Sequence, residues 1–132
     1  MIARILVPVD FSPCSDDALA YALALADQHG AEVEILYVWP VENGLFAETP
    51  QGIAMEKRLS AAESEHPRRV SGRLEFGREP ANVILDILEH EPFDLVVLGR
   101  EREKALGHVA TNVKSTAPCP VVTVPPPDEE AA

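Results

Sequence analysis

Short apolar runs alternate along the chain with longer segments in which apolar residues recur every three or four positions. The runs are too brief for helices and suit strands that are buried on both faces of a sheet. We predict five strands, over residues 5–9, 32–39, 70–76, 94–99 and 121–124. Pro8 has no backbone donor and is expected near the end of the first strand, while Gly72 weakens the third.

The segments between the runs have the spacing and the end signals of amphipathic helices. Ser12 and Pro13 form a cap followed by a first-turn proline, and an alanine-rich stripe then leads to a stop at Gly30. The other predicted helices cover residues 53–65 after a loop at 40–52, the segment opened by Glu79-Pro80 and closed by Glu91-Pro92, and residues 107–116.

Strands that alternate with helices pair in parallel, because each return to the sheet needs a crossover. The sequence therefore predicts an open, three-layer α/β sandwich. With 132 residues the chain fits a single domain, which we place at residues 1–127. Residues 128–132 have nothing to bury and are expected to be a disordered acidic tail.

Charge and composition restrict the possible partners. The chain has 22 acidic side chains against 11 Lys plus Arg, a formal net charge of −11. Such a surface repels phosphate backbones and anionic lipid heads, so we expect neither nucleic-acid nor membrane binding. No apolar run approaches the ~20 residues of a membrane span, and no signal peptide is recognisable. Two lone cysteines form no disulfide framework, so a cytoplasmic, reducing location is expected.

Four short strings, in this order, resemble the universal stress protein family. They are Val7-Pro8-Val9-Asp10-Phe11-Ser12, Gly77-Arg78-Glu79-Pro80-Ala81, Asp94-Leu95-Val96-Val97-Leu98-Gly99 and Ala117-Pro118-Cys119-Pro120-Val121-Val122. Together they reach over nearly the whole chain. The resemblance implies the Rossmann-like fold of the adenine-nucleotide α-hydrolases, with strand order 3-2-1-4-5. It also implies a crevice between strands one and four, where many members of the family bind ATP.

The chain keeps only part of the family's ATP-binding pattern. Asp10 matches the acidic residue that meets the adenosine end, and Gly99 matches the first glycine of the G-x2-G-x9-G-[ST] phosphate loop. Arg102 replaces the second glycine, Gly107 matches the last, and His108 replaces the Ser or Thr. Only residues 100–106 separate Gly99 from Gly107, where the motif has roughly twelve. The loop is therefore too short to enclose a triphosphate in the usual way.

Several residues keep two interpretations at this stage. Asp10 is either a ligand contact or a polar turn residue. Arg100, Arg102 and Lys104 either grip phosphate or pair with the alternating Glu101 and Glu103. Cys14 is either a reactive thiol at a helix start or a small packed residue. His108 either meets an amide or an anion, or only fills the shortened loop.

The sequence predicts a protein that binds and does not catalyse. No histidine has metal-ligand spacing and no nucleophile–base set is recognisable, so we predict no metal, no catalytic residue and no cofactor. We expect a stress-response regulatory or protective module with an unknown protein partner. The alternative is an ATP-binding switch or slow ATPase that uses Asp10, Gly99, Arg102, Gly107 and His108. The resemblance also implies a homodimer through the edge strand Val121–Val124.

Overall fold

A computed structural model describes residues 2–10, 13–39, 49–66, 69–99 and 113–125. In chain order the elements are β1 (Arg4–Val9), α1 (Pro13–His29), β2 (Glu32–Trp39), α2 (Pro50–Glu65), β3 (Val70–Phe76), α3 (Pro80–His90), β4 (Leu95–Gly99) and β5 (Val121–Val124). Residues 113–116 form one further helical turn. The remainder of the predicted helix over 107–116, most of the loop predicted at 40–52, and the tail at 128–132 lie outside the described residues.

The five strands form one parallel sheet in the order β3-β2-β1-β4-β5, as expected. β1 pairs with β2 along its whole length, from Arg4 opposite Glu32 to Val9 opposite Tyr37. Its register with β4 consists of Ile5 opposite Leu95 and Leu6 opposite Val96. Pro8 follows the end of this second pairing, in the last two residues of β1, where its missing N–H is least costly.

Helices cover both faces of the sheet and divide the core into two clusters. One cluster packs α1 and α2 against the odd-numbered side chains of β1 and β2, and fully buries Trp39. The other packs α3 and Val113 against Leu6, Leu36 and the even-numbered side chains of β4. The architecture is therefore the predicted three-layer α/β sandwich. No helix within the described ranges is both long enough and apolar enough to cross a membrane.

α1 and α3 form where the sequence signals place them. In α1, Ala18, Ala22 and Ala26 are fully buried, and Gly30 ends the helix with a φ of 66°. In α3 the predicted inner face is buried in full: Ala81, Ile84, Ile87 and Leu88. Small and branched side chains at helical spacing thus allow both helices to pack closely against the sheet.

α2 begins three residues before its predicted start, which corrects the loop predicted over residues 40–52. The Thr49 hydroxyl accepts a hydrogen bond from the Gly52 N–H at 2.9 Å, and Pro50 occupies the first turn. This cap and proline are the usual start of a helix. Gly72 in β3 lies under α2, where an added Cβ would come within 3.4 Å of the Leu59 Cβ. The glycine that weakened the strand prediction therefore allows the helix to pack closely.

Polar contacts join β1 and β4 at the end of the sheet where the strands begin. The Asp94 carboxylate accepts the N–H groups of Ala3 and Arg4 at 2.9 and 3.0 Å, which joins the start of β1 to that of β4. These two donors lower the pKa of Asp94. The Asp94 backbone N–H also donates to the Arg4 carbonyl at 2.9 Å, and β4 begins one residue later than predicted, at Leu95.

Candidate functional site

The connections of the sheet create a crevice between β1 and β4. β1 is followed by α1 on one face, whereas Val113, in the helical turn that follows β4, packs on the other face together with α3. Neighbouring strands whose connections leave toward opposite faces separate at their carboxyl ends, and ligands of open α/β sheets settle there. The register between β1 and β4 among the described residues stops at Leu6 and Val96, which agrees with such a separation.

Asp10 stands at this crevice, directly after β1. It is exposed, and its neighbour Val9 lies opposite Tyr37 of β2. Burial, and secondly the negative charge of Asp10, raise the pKa of the Tyr37 hydroxyl. Tyr37 is therefore a neutral donor at physiological pH beside a carboxylate acceptor. Asp10 is the exposed member of this pair, whereas Tyr37 is buried in the core cluster beneath α1. Nothing in the sequence pattern indicated that Tyr37 lies beside Asp10.

Gly99 stands on the opposite wall of the crevice, at the end of β4. A Cβ there would lie 2.4 Å from the Cys14 carbonyl oxygen and 2.9 Å from the Ser15 backbone nitrogen. The first turn of α1 therefore rests directly on the end of β4. Packing alone requires a glycine at this position, whatever the crevice binds.

The other predicted ligand-binding residues cannot be placed against this pair. Arg102, Gly107 and His108, together with Arg100 and Lys104, lie outside the described residues. The structure thus brings Asp10 and Gly99 to the same crevice and leaves the phosphate side as a prediction.

Cys14 is half-buried in the first turn of α1, and its reactivity stays a prediction. Cys119 is packed against the core on the α3 face, as expected from its place between two prolines. Burial, and secondly the charge of Asp94, raise the pKa of the Cys119 thiol. Because the thiolate is the reactive form, this environment makes Cys119 a poor nucleophile.

Comparison with known proteins decides the family. The family model described as the universal stress protein family matches residues 1–125. This chain belongs to that family. A universal stress protein from Methanocaldococcus jannaschii is 30% identical over 146 residues, covering 96% of this chain and 84% of the relative. One from Thermus aquaticus is 30% identical over 137 residues, covering 94% and 99%.

Solved structures of the universal stress protein family have the same architecture. The structure from Archaeoglobus fulgidus superposes with a TM-score of 0.74 at 25% identity, and covers 93% of each chain. A universal stress protein in complex with cAMP superposes with a TM-score of 0.73 at 19% identity, covering 92% of this chain and 96% of its own. The family's fold, and with it the strand order that the resemblance implied, is therefore established for this chain.

A group of possible metal ligands lies on the exposed side of α3. Among the described residues, one group with possible ligand atoms within 4.8 Å of one another consists of Asp86, Glu89 and His90, all exposed. The Asp86 carbonyl lies 2.8 Å from the Nδ1 of His90 and is the main cause of the raised pKa of that imidazole. Such pairing is ordinary at the end of a helix. The prediction that the chain holds no metal stays a prediction.

The two edges of the sheet differ in chemistry. At one edge, Arg73 of β3 pairs with Glu75, Glu91 and Glu34 at 2.8, 2.6 and 3.4 Å. Charged side chains of this kind discourage pairing with another strand. At the other edge, β5 reads Val-Val-Thr-Val, carries no charge and has all four residues half-buried. β5 is thus the edge that is suited to pairing with another chain.

Proposed function

We propose that this chain is a non-catalytic member of the universal stress protein family, which acts in the stress response by binding a partner. The proposal rests on the length of the segment 100–106 between Gly99 and Gly107. This segment is about five residues shorter than the corresponding part of the family's phosphate loop. Among the described residues, the walls of the crevice add the exposed carboxylate of Asp10 and the backbone of Gly99, which packs against the first turn of α1. The cytoplasmic location stays part of this proposal.

Nucleotide titration tests the proposal. Protein purified without added nucleotide should show no adenine absorbance. Calorimetric titration with Mg-ATP should give no binding tighter than ~100 μM, because a short loop supplies few backbone amides to a triphosphate. Tighter binding would overturn the proposal in favour of the ATP-dependent alternative.

The second candidate is an ATP-binding switch or slow ATPase that uses the same crevice. Support comes from related structures that contain cAMP, AMP in a protein from Arabidopsis thaliana, and dAMP in the protein from Archaeoglobus fulgidus. In this second candidate a nucleotide would bind at the retained adenosine side, where Asp10 would accept hydrogen bonds.

A matched pair of variants separates the two candidates. If the crevice holds a nucleotide, Asp10→Asn should weaken its binding about tenfold or more, because a charged acceptor is lost. Asp86→Asn, an exposed carboxylate on α3, should leave binding unchanged. Phosphate release with Mg-ATP then distinguishes a slow ATPase from a switch.

We further propose that two copies form a homodimer through β5. Two copies of one strand that are related by a twofold axis pair antiparallel, so residues near the middle of β5 should face their own copies. In a background with Cys14→Ser and Cys119→Ser, Val122→Cys or Thr123→Cys should give a disulfide-linked dimer on mild oxidation. Ser71→Cys, exposed on the charged β3 edge, is the matched control and should form no disulfide-linked dimer. A wild-type chain that sediments as a monomer at ~100 μM would contradict the dimer.

A further inference from the structure

The two flanks of α1 have different surroundings. On one flank, Asp16 pairs with Arg58 of α2 at 3.0 Å and Asp27 pairs with Arg69 at 3.1 Å. A helix turns about 100° per residue, so Tyr21 and Leu25 lie on the opposite side of the axis from these two aspartates. With α2 on the first flank, the second flank faces β4 and β5.

Direct contacts confirm this placement. Cys14 lies two turns before Tyr21 on the same flank. A Cβ added at Gly99 would meet the Cys14 carbonyl, so the start of α1 packs on the end of β4. α1 contacts both β4 and β5, and Leu25, Val122 and Val124 all pack on the α1 face of the sheet. The Tyr21 flank of α1 and the open edge of β5 are therefore neighbouring parts of one surface.

This surface is apolar and uncharged at its centre. Tyr21 is 44% exposed, one of the large hydrophobic residues that the described part of the chain leaves open to solvent. Leu25, Val122 and Val124 are half-buried beside it. Asp17, half-buried one turn before Tyr21, is the charged residue at the border of this flank. A chain with a net charge of −11 repels its own copies, so self-association requires an uncharged surface of this kind.

We propose that Tyr21 and the flank of α1 around it form part of the interface with a second copy of this chain. The inference rests on the proposed dimer through β5 and adds the helix to it. A twofold axis perpendicular to the sheet keeps the α1 helices of both copies on the same face. The two Tyr21 flanks then form the sides of a trough, and Val122 and Val124 of each copy form its base.

The size of β5 supports a contribution from α1. A strand of four residues is only about 13 Å long, and its pairing supplies few hydrogen bonds. A specific interface usually buries more than about 1,000 Å² in total, so neighbouring side chains must contribute. Tyrosine is among the residues that most often carry interface energy, because a large rigid ring is buried at low entropic cost.

Charge substitution at two adjacent positions of α1 tests the inference. Tyr21→Lys should weaken dimerisation at least about tenfold in sedimentation equilibrium, because it places an ammonium in the apolar trough. Ala20→Lys adds the same charge at a solvent-exposed neighbour and should leave the dimer unchanged or slightly tighter, since it lowers the repulsion between copies. Tyr21→Phe keeps the ring and should retain the dimer.

The outcomes separate this inference from the proposed dimer. Equal dimerisation of Tyr21→Lys and Ala20→Lys would show that α1 lies outside the interface, and would leave pairing through β5 intact. A monomeric wild-type chain would instead contradict the dimer itself. Thermal unfolding at low protein concentration checks that Tyr21→Lys still folds, as the exposure of Tyr21 leads us to expect.

Discussion

Residues at the crevice have structural roles that do not depend on a ligand. Gly99 is the clearest example, because its lack of a Cβ lets the first turn of α1 rest on the end of β4. The same glycine matches the start of a phosphate-loop motif. Its presence alone is therefore no sign of phosphate binding, and the length of the segment after it is the informative feature.

Gly99→Ala should lower the free energy of unfolding by about 2 to 3 kcal/mol, because the new methyl group meets backbone atoms that cannot move independently. Urea denaturation measures the loss. Gly72→Ala is the control: its Cβ would approach the end of the Glu63 side chain at 3.2 Å, which is free to turn aside. A loss at Gly99 no greater than that at Gly72 would contradict the packing argument.

Asp94→Ala should destabilise the protein near neutral pH and matter little in strong acid. The N–H groups of Ala3 and Arg4 lower the pKa of Asp94 from its ordinary value of 3.8. A carboxylate of lowered pKa contributes stability that is present above its unfolded pKa and is lost as pH falls through the folded pKa. Unfolding curves of the wild type and the variant at pH 7 and below pH 3 give the comparison. A difference that persists in acid would mean that the carboxylate charge is not the cause.

At the scale of elements, local end signals determined the helices more closely than apolar periodicity did. α2 shows this, because its apolar stripe suggested a start at Ile53, whereas the Thr49 cap and Pro50 place the start three residues earlier. The cap signal was present in the sequence and lay in a segment rich in turn formers. The strands, in contrast, agree with their predicted bounds to within one residue.

Thr49→Ala should cost about 1 kcal/mol of stability, because it removes the acceptor for the Gly52 N–H at the start of α2. Thr49→Ser keeps the hydroxyl and should remain close to the wild type. Chemical denaturation of the three proteins makes the comparison. Equal losses in both variants would indicate that the threonine methyl group, and not the cap, is what matters.

At the scale of the whole molecule, charge sets the conditions for assembly. A net charge of −11 repels like copies over distances comparable to the Debye length, about 10 Å at 0.1 M salt. In the proposed dimer, the uncharged β5 edge and the Tyr21 flank allow contact in spite of this repulsion. The β3 edge carries the ion pairs of Arg73 and is therefore less suited to contact with a second copy.

Dimerisation should therefore become several-fold tighter when NaCl is raised from about 0.02 M to about 0.5 M, because salt screens the repulsion between copies. Sedimentation equilibrium at the two concentrations measures the change. The opposite trend would mean that attractive charge pairs across the interface hold the copies together.

The alternation of strands and helices, the buried face of α3 and the family's motifs could be predicted from the chain alone, because they depend on local spacing and on residues near one another in the chain. The shortened segment after Gly99 is likewise visible in the sequence. Which distant residues meet depends on three-dimensional packing. The approach of Cys14 to Gly99, the place of Tyr37 beside Asp10 and the contact of α1 with β5 all depend on how the elements pack in the sheet. Periodicity within one segment holds no information on that packing.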